Sequence, residues 1–435
     1  MVILIFYRVT TVITIVYATL LLSLQSQKNN LMPGTELFGN EERKEINDVL
    51  ETGILFRYNH DQQRNGIWKA KDFEAEVCKI TGAKYAHAMS SGSTAIATAL
   101  AASGIGTGDE VIVPPFTYIA TVEAVLFVGA IPVFAEVDET LCLSAAGIKN
   151  AITPNTKAVC LVHMCGGMAD MDGIMAVVKE HNLILVEDAG QAFAASYKGT
   201  ATGLFGTAGS YSFDFFKIAT AGEGGVLVTN DEAVYKLADS YSDHGHDHVG
   251  SNRGMEQHPI MGFNYRISEL HAAVGVAQTR KVPHIREVNR KHKQMMVDIL
   301  SQTEGISFAH LCDPEGDSAT FLNILMPDTE TAARTVAEMN KAGIGGFNYW
   351  YTNMYHFINQ WDHIKHLRTA SKLPVQVLGH AQDYTNLHLP KSQEVIGRLI
   401  SFGIRCTWTE EEVAALAGRI AASAKAAMSV EQATA

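Results

Sequence analysis

The stretch NTKAVCLVHMCGGMADMDGIMAVVKEHNLILVEDAG, residues 155–190, holds two short apolar runs separated by one amphipathic segment. KAVCLV and LILV are continuous rather than alternating, the pattern of strands covered on both faces. MDGIMAVVKEHN spaces its apolar residues as a helix does, so the stretch predicts a strand–helix–strand unit. The second strand ends on Glu187 and Asp188, followed by Gly190 and Gln191. A carboxylate at the end of a buried strand is costly unless it meets a cation or a protonated nitrogen.

The alternation continues in both directions. EERKEINDVLETG and DFEAEVCKITG predict helices that stop at Gly53 and Gly82. GSTAIATALAASG and TVEAVLFVG predict further helices, while DEVIVPP, IPVFAEVD and GGVLVTND predict strands. Short apolar strands separated by helices imply an α/β fold, a mostly parallel sheet with helices on both faces and its chemistry at the strand ends. Beyond Arg290 the helices lengthen and strands become sparse. The reading is therefore a large domain over 32–290 and a smaller C-terminal α+β domain over 291–435.

Composition narrows the function. With 435 residues, 47% of them hydrophobic, the chain can bury a large core. A net charge of −12 without clustered Lys and Arg argues against nucleic acid as a partner. Cys78, Cys142, Cys160, Cys165, Cys312 and Cys406 form no CxxC pair, which implies reduced thiols and a cytoplasmic setting. Residues 1–31 are an apolar extension in which Arg8 leaves 16 uncharged residues up to Leu24, short of a spanning helix. Translation starting at Met32 is the simpler reading, and a weak membrane anchor the other.

The strand ends carry the chemistry. MSSGSTA, Met89 to Ala95, sets small hydroxyl residues at a helix start, where free backbone N–H groups favour an anion such as phosphate. SYSFDFFKIATAGEGGVLVTND, Ser210 to Asp231, reads as a β-like aromatic run carrying one lysine, Lys217. A partly desolvated lysine is suited to attack a carbonyl. Taken singly, Lys217 could snorkel, Asp188 could cap a helix and the serines could close a turn. Together, a lysine for an aldehyde, an acid for a pyridinium nitrogen and an anion site match pyridoxal 5′-phosphate, PLP.

These motifs resemble the DegT/DnrJ/StrS family of sugar aminotransferases, which has the aspartate-aminotransferase fold, type I. SSGSTA, PPFTYIATVEAV, VEDAGQA, SFDFFKIATAGEGG and GFNYRISELHAAVGVAQ carry the likeness, which spans Gly34 to Ala422. The resemblance implies that Lys217 bonds the cofactor and shuttles the substrate proton, while Asp188 holds the pyridine nitrogen protonated. It also implies that Ser93, Thr94 and Ser212 hold the phosphate, Gln191 lies near the ring oxygen and Tyr118 stacks on the ring. Asn264 would reach the phosphate of a neighbouring subunit, in a site shared across a homodimer. An amino acid, glutamate by expectation, would donate the amine to a keto-sugar. Dehydratase relatives have a histidine where this chain has Lys217.

The substrate reading rests on departures from that pattern. HMCGGMADMD places Cys165, Gly166 and Gly167 where many relatives have tyrosine-glycine-glutamine, and SFGIRCTWTEEEV presents Arg405 where many have leucine-proline. Arg405 is a candidate for a substrate carboxylate, with a structural salt bridge as the alternative. Arg57, His60 and Arg64 form a second candidate anion-reading group, or else a solvated loop. PGTELFGNEERKEINDVLETGILFRY narrows the resemblance to amination of a free keto-sugar acid, 3,8-dideoxy-8-oxo-manno-octulosonate, giving 8-amino-Kdo for lipopolysaccharide. A nucleotide-linked 4-keto-sugar is the alternative substrate; a PLP-binding sugar sensor and a membrane-tethered scaffold are the alternatives of other classes. In SDHGHDHVG, His244, His246 and His248 alternate with Asp243 and Asp247, a spacing that fixes no tetrahedral metal site and suggests a loop near the active-site mouth.

Overall fold

A computed structural model describes residues 33–250, 252–379 and 382–432. The apolar extension and the reading of Met32 as the start lie outside the described residues. Among those described, no helix is long and apolar enough to cross a membrane.

Seven strands form the main sheet: β1 (Tyr85–Met89), β2 (Glu110–Val113), β3 (Ile131–Phe134), β4 (Thr156–Val162), β5 (Ile184–Asp188), β6 (Ala208–Ser212) and β7 (Gly225–Thr229). Their order is β1-β7-β6-β5-β4-β2-β3, and only the pairings to β7 are antiparallel. The expected fold class is thus the observed one. The predicted stops at Gly53 and Gly82 hold as well, both glycines adopting the left-handed conformation that ends a helix, at φ 69° and 76°.

The strand-end carboxylates separate to opposite faces, as strand alternation requires. Glu187 is fully buried and takes hydrogen bonds from the backbone N–H groups of Gly203, Phe205 and Gly206 at 2.7–2.8 Å. His163 at the end of β4 donates from Nε2 to Glu187 at 2.9 Å, since its Nδ1 accepts from the Ala169 N–H. Four donors replace the water that this carboxylate loses. Behind it, the Cys165–Gly166 turn is tied to the segment 318–323. Cys165 has φ 54°, Ser318 Oγ donates to the Gly166 carbonyl at 2.8 Å, and Asn323 donates to the Cys165 carbonyl at 3.3 Å. A Cβ on Gly166 would collide with Thr320 and lie 2.7 Å from Ser318 Oγ, so both its φ of 76° and the close approach require glycine.

The aromatic run behaves differently from its reading as strand. β6 stops at Ser212, and Asp214 folds the chain into a turn by accepting from the Phe216 N–H at 2.7 Å. Phe215 and Phe216 are consequently 47% and 63% exposed.

A second, antiparallel sheet comprises β8 (Ser307–Phe308), β9 (Phe321–Leu325), β10 (Phe347–Tyr349) and β11 (Leu399–Gly403), in the order β8-β9-β11-β10. One helix, Glu269–Leu300, runs through position 290 and serves both cores, with Val276 and Ile285 in the first and Met296 and Leu300 in the second. The chain then returns to the first core after β10: Trp350, Phe357, Trp361 and Tyr384 pack there. Gln382 bonds both the N–H and the carbonyl of Phe134, covering the edge strand β3.

Truncating Glu187 strands His163 and three backbone donors in the interior. Glu187→Ala is expected to destabilise the protein by about 3–5 kcal/mol in urea unfolding; a loss under about 1 kcal/mol would show that water replaces the carboxylate.

Candidate active site

The site grows from the carboxyl ends of β5 and β6 and the start of one helix, α1 (Gly92–Ala102). Ser91 caps α1 by accepting from the Thr94 N–H at 3.1 Å, and Thr94 Oγ1 accepts from the Ser91 N–H at 3.1 Å. This reciprocal cap occupies the Thr94 hydroxyl and leaves the first-turn N–H groups of Gly92 and Ser93 without carbonyl partners in the helix. β7 passes close behind: a Cβ on Gly225 would lie 2.5 Å from the Gly92 nitrogen.

A cavity of about 670 Å³ is lined by Ser91, Gly92, Ser93, Thr117, Tyr118, Asp188, Gln191, Ser212 and Lys217. Six residues expected from the sequence therefore meet in one place: Ser93, Tyr118, Asp188, Gln191, Ser212 and Lys217. Asp188, 8% exposed, accepts from Thr121 Oγ1 at 2.6 Å and from the Gly190 N–H at 2.9 Å. Gln191 Oε1 accepts from the Cys165 N–H at 3.1 Å, which ties its amide to the Cys165–Gly166 turn. Lys217 Nζ lies 3.7 Å from Asp214, so a carboxylate three residues away supplies part of the compensation its apolar neighbours do not. A buried carboxylate, a cavity-facing amine and unpaired N–H groups at a helix start fit PLP.

A second cavity, of about 370 Å³, adjoins the first and shares Gly190, Gln191, Ser212, Phe216, Lys217 and His356 with it. Arg405 lines this second space, with its Nε 3.9 Å from Glu36. Burial raises the Glu36 carboxyl above its ordinary value, against hydrogen bonds from Cys406 and Thr407.

Other expected residues lie outside these cavities. Arg57 is buried against Glu74 at 2.8 Å and donates to the Ala88 carbonyl, so it is neither a cavity group nor a solvated one. Arg64 is likewise buried, over the Trp68 ring and 3.3 Å from Glu269, while His60 is exposed. Asn264 is exposed and outside both cavities of its own chain.

The structure adds Thr121 and His356, which the motif reading passed over. Thr121 sits one helical turn from Tyr118, a spacing visible in PPFTYIAT, but its partner Asp188 is remote in sequence. The backbone of 355–358 pairs with 115–119, bringing His356 over Tyr118 with ring centroids 5.4 Å apart.

The histidine-rich loop forms a polar cluster. His248 sits between Asp239 at 2.8 Å and Asp243 at 3.0 Å, stacked on Tyr58. Arg253 and Arg266 also pair with Asp243. Among the described residues no group of three or more candidate ligands is placed to hold a metal ion.

Such a lysine, acid and anion cradle at the strand ends of a mostly parallel sheet define a fold-type I PLP-dependent aminotransferase. The chain belongs to the DegT/DnrJ/EryC1/StrS aminotransferase family, whose model matches residues 38–421. It is 43% identical over 212 residues to a GDP-perosamine synthase of Caulobacter vibrioides, covering 48% of this chain and 56% of that one. It is 41% identical over 223 residues to a UDP-N-acetyl-3-dehydro-α-D-glucosamine 3-aminotransferase of Acidithiobacillus ferrooxidans, covering 51% of this chain and 58% of the relative. The matched segments thus span little more than half the length of these two relatives. Among solved structures, an aminotransferase from Psychrobacter cryohalolentis superposes with a TM-score of 0.75 at 27% identity, over 90% of this chain and 97% of that one.

Two measurements probe the geometry. Thr121→Val removes a hydrogen bond to a buried carboxylate and is expected to weaken PLP retention about tenfold, read by dialysis and cofactor absorbance; unchanged retention would leave the Gly190 N–H as sufficient. Burial works to lower the His248 pKa, but hydrogen bonds and charge from Asp239 and Asp243 outweigh it and raise it to about 9. With the folded value raised, the clamp's full stabilisation is present below about pH 6.5 and is lost as pH rises through about 9. The melting temperature should fall across that window in the wild type and less in His248→Gln; parallel profiles would remove the clamp.

Proposed function

We propose that this protein moves an amino group from an amino acid, glutamate by preference, to a keto-sugar. The carrying observation is that Lys217, Asp188 and the α1 start line one cavity, with Asp188 oriented by Thr121 and Gly190. In this reading Lys217 bonds the cofactor and, once released, moves the α-proton. Asp188 keeps a proton on the pyridine nitrogen. The Gly92 and Ser93 N–H groups with the Ser93 and Ser212 hydroxyls hold the phosphate, while Thr94 maintains the cap that presents them. Gln191 lies beside the ring oxygen and Tyr118 covers the ring face. Bound PLP supplies the electron sink for the carbanion.

A homodimer completes the site. Met261 and Phe263, beside Asn264, are 92% and 62% exposed, which supports burial of this segment against a second copy and delivery of Asn264 to the partner's phosphate. Six unpaired cysteines support a cytoplasmic setting.

The amine acceptor has two readings. Relatives named for GDP- and UDP-linked sugars support a nucleotide-linked keto-sugar, and among the outside comparisons this is the better supported reading. The pocket supports a free keto-sugar acid, the 8-oxo octulosonate that yields 8-amino-Kdo, because Arg405 is the one guanidinium among the described residues lining these two adjoining cavities. Arg57 is committed to Glu74 and does not contribute to this reading.

Mixing the purified PLP form separately with 8-amino-Kdo and with GDP-perosamine tests both. Loss of the lysine-bound cofactor absorbance and product mass with GDP-perosamine alone would establish the nucleotide sugar; the same with 8-amino-Kdo alone would establish the acid. In the second case Arg405→Ala is expected to raise KM for the acid about tenfold or more. Reaction with neither would overturn both.

A further inference from the structure

The two cavities meet at His356, which lines both. Its ring is held in one orientation by packing on Trp350, with centroids 4.6 Å apart, and by a contact of 2.9 Å from Nδ1 to Asn353 Oδ1. The same Asn353 atom receives the Tyr355 backbone N–H at 2.9 Å. A backbone N–H can only donate, so that atom is the amide oxygen, and an oxygen there can only accept. His356 Nδ1 must therefore carry the proton, which leaves Nε2 as the acceptor in the neutral ring. Nε2 has no protein partner among the described residues. Burial and the nearby Lys217 charge lower the His356 pKa to about 3, so the imidazole is neutral at physiological pH.

Resting on the keto-sugar aminotransferase reading, we propose that His356 Nε2 accepts a hydrogen bond from a sugar hydroxyl at the junction of the two cavities, making His356 a specificity-determining residue for the amine acceptor. A sugar whose amine-bearing carbon reaches Lys217 and whose far end enters the Arg405 space passes this point. An amino-acid donor has no hydroxyl to offer there. The site thus contains a fixed acceptor that distinguishes its two substrates without adding a charge that would repel or bind the donor's carboxylates.

The test pairs two substitutions with opposite geometry. His356→Asn keeps a side-chain amide near the Nδ1 position and loses the acceptor at Nε2; His356→Gln reaches the Nε2 position and loses the Asn353 contact. Half-reactions are run with L-glutamate, 8-amino-Kdo and GDP-perosamine. For the amino sugar consumed by the wild type, His356→Asn should lower kcat/KM about tenfold or more, far beyond its effect on glutamate, and His356→Gln should restore most of it. The reverse order, or equal losses toward sugar and glutamate, would overturn the proposal and leave His356 a packing residue. If the wild type consumes neither amino sugar, the keto-sugar reading fails and takes the sugar contact with it. Ring-nitrogen NMR of the PLP form, assigned by loss of signals in His356→Asn, then judges the tautomer alone. Protonated Nδ1 with bare Nε2 is expected, and a proton on Nε2 would overturn the acceptor geometry independently of any turnover.

Discussion

Two adjacent carboxylates, Glu187 and Asp188, end a strand with nowhere in water to go, and much of the molecule follows from satisfying them separately. Strand alternation sends them to opposite faces. Glu187 is consumed by His163 and three backbone N–H groups, which fixes the Gly203–Gly206 turn against the sheet. Asp188 is given only a hydroxyl and one backbone N–H from the protein, so its remaining lone pairs stay directed at the cavity. The first is a structural group because it is fully matched; the second is available for chemistry because it is not.

The opposite wall comes from far along the chain. Residues 355–358 lie antiparallel to 115–119, so the loop bearing Tyr118 is braced by a segment that follows the second sheet's β10. The Cys165–Gly166 turn adds the other fastening, where Ser318 and Asn323 hold its carbonyls. Between these two attachments lie the paired cavities. The two cavities share part of their lining, Lys217 and His356 included.

What could be read from the sequence was set by local chemistry. Gly53 and Gly82 announced helix ends because left-handed backbone there favours glycine, and the continuous apolar runs announced strands covered on both faces. Asp188, Lys217 and the Ser-Gly-Ser cradle stood out because a charge or a hydroxyl cluster at a strand end demands a partner. Thr121 and His356 did not, since their meaning lies in tertiary neighbours: Thr121 finds Asp188 at a separation of 67 residues. Arg57 and Arg64 misled for the complementary reason. A cationic side chain in a polar-looking segment signals a ligand only if no internal carboxylate claims it, and Glu74 and Glu269 claim these two. The aromatic run failed as a strand because Asp214 closes a turn around its own backbone, a local bond that wins once the sheet has no further neighbour to offer.

Charge balance bears on the acceptor. Arg405 faces Glu36 across 3.9 Å, and a pair at that spacing in a partly buried wall carries a gross attraction of about 4 kcal/mol. The guanidinium thus has a carboxyl beside it before any substrate arrives. Burial raises the Glu36 carboxyl, so proton uptake there when an acid binds would remove the remaining repulsion between the two carboxylates. An acidic acceptor at this wall therefore meets a guanidinium with a carboxyl beside it that can take up a proton, so the charge of the wall adjusts to what it binds.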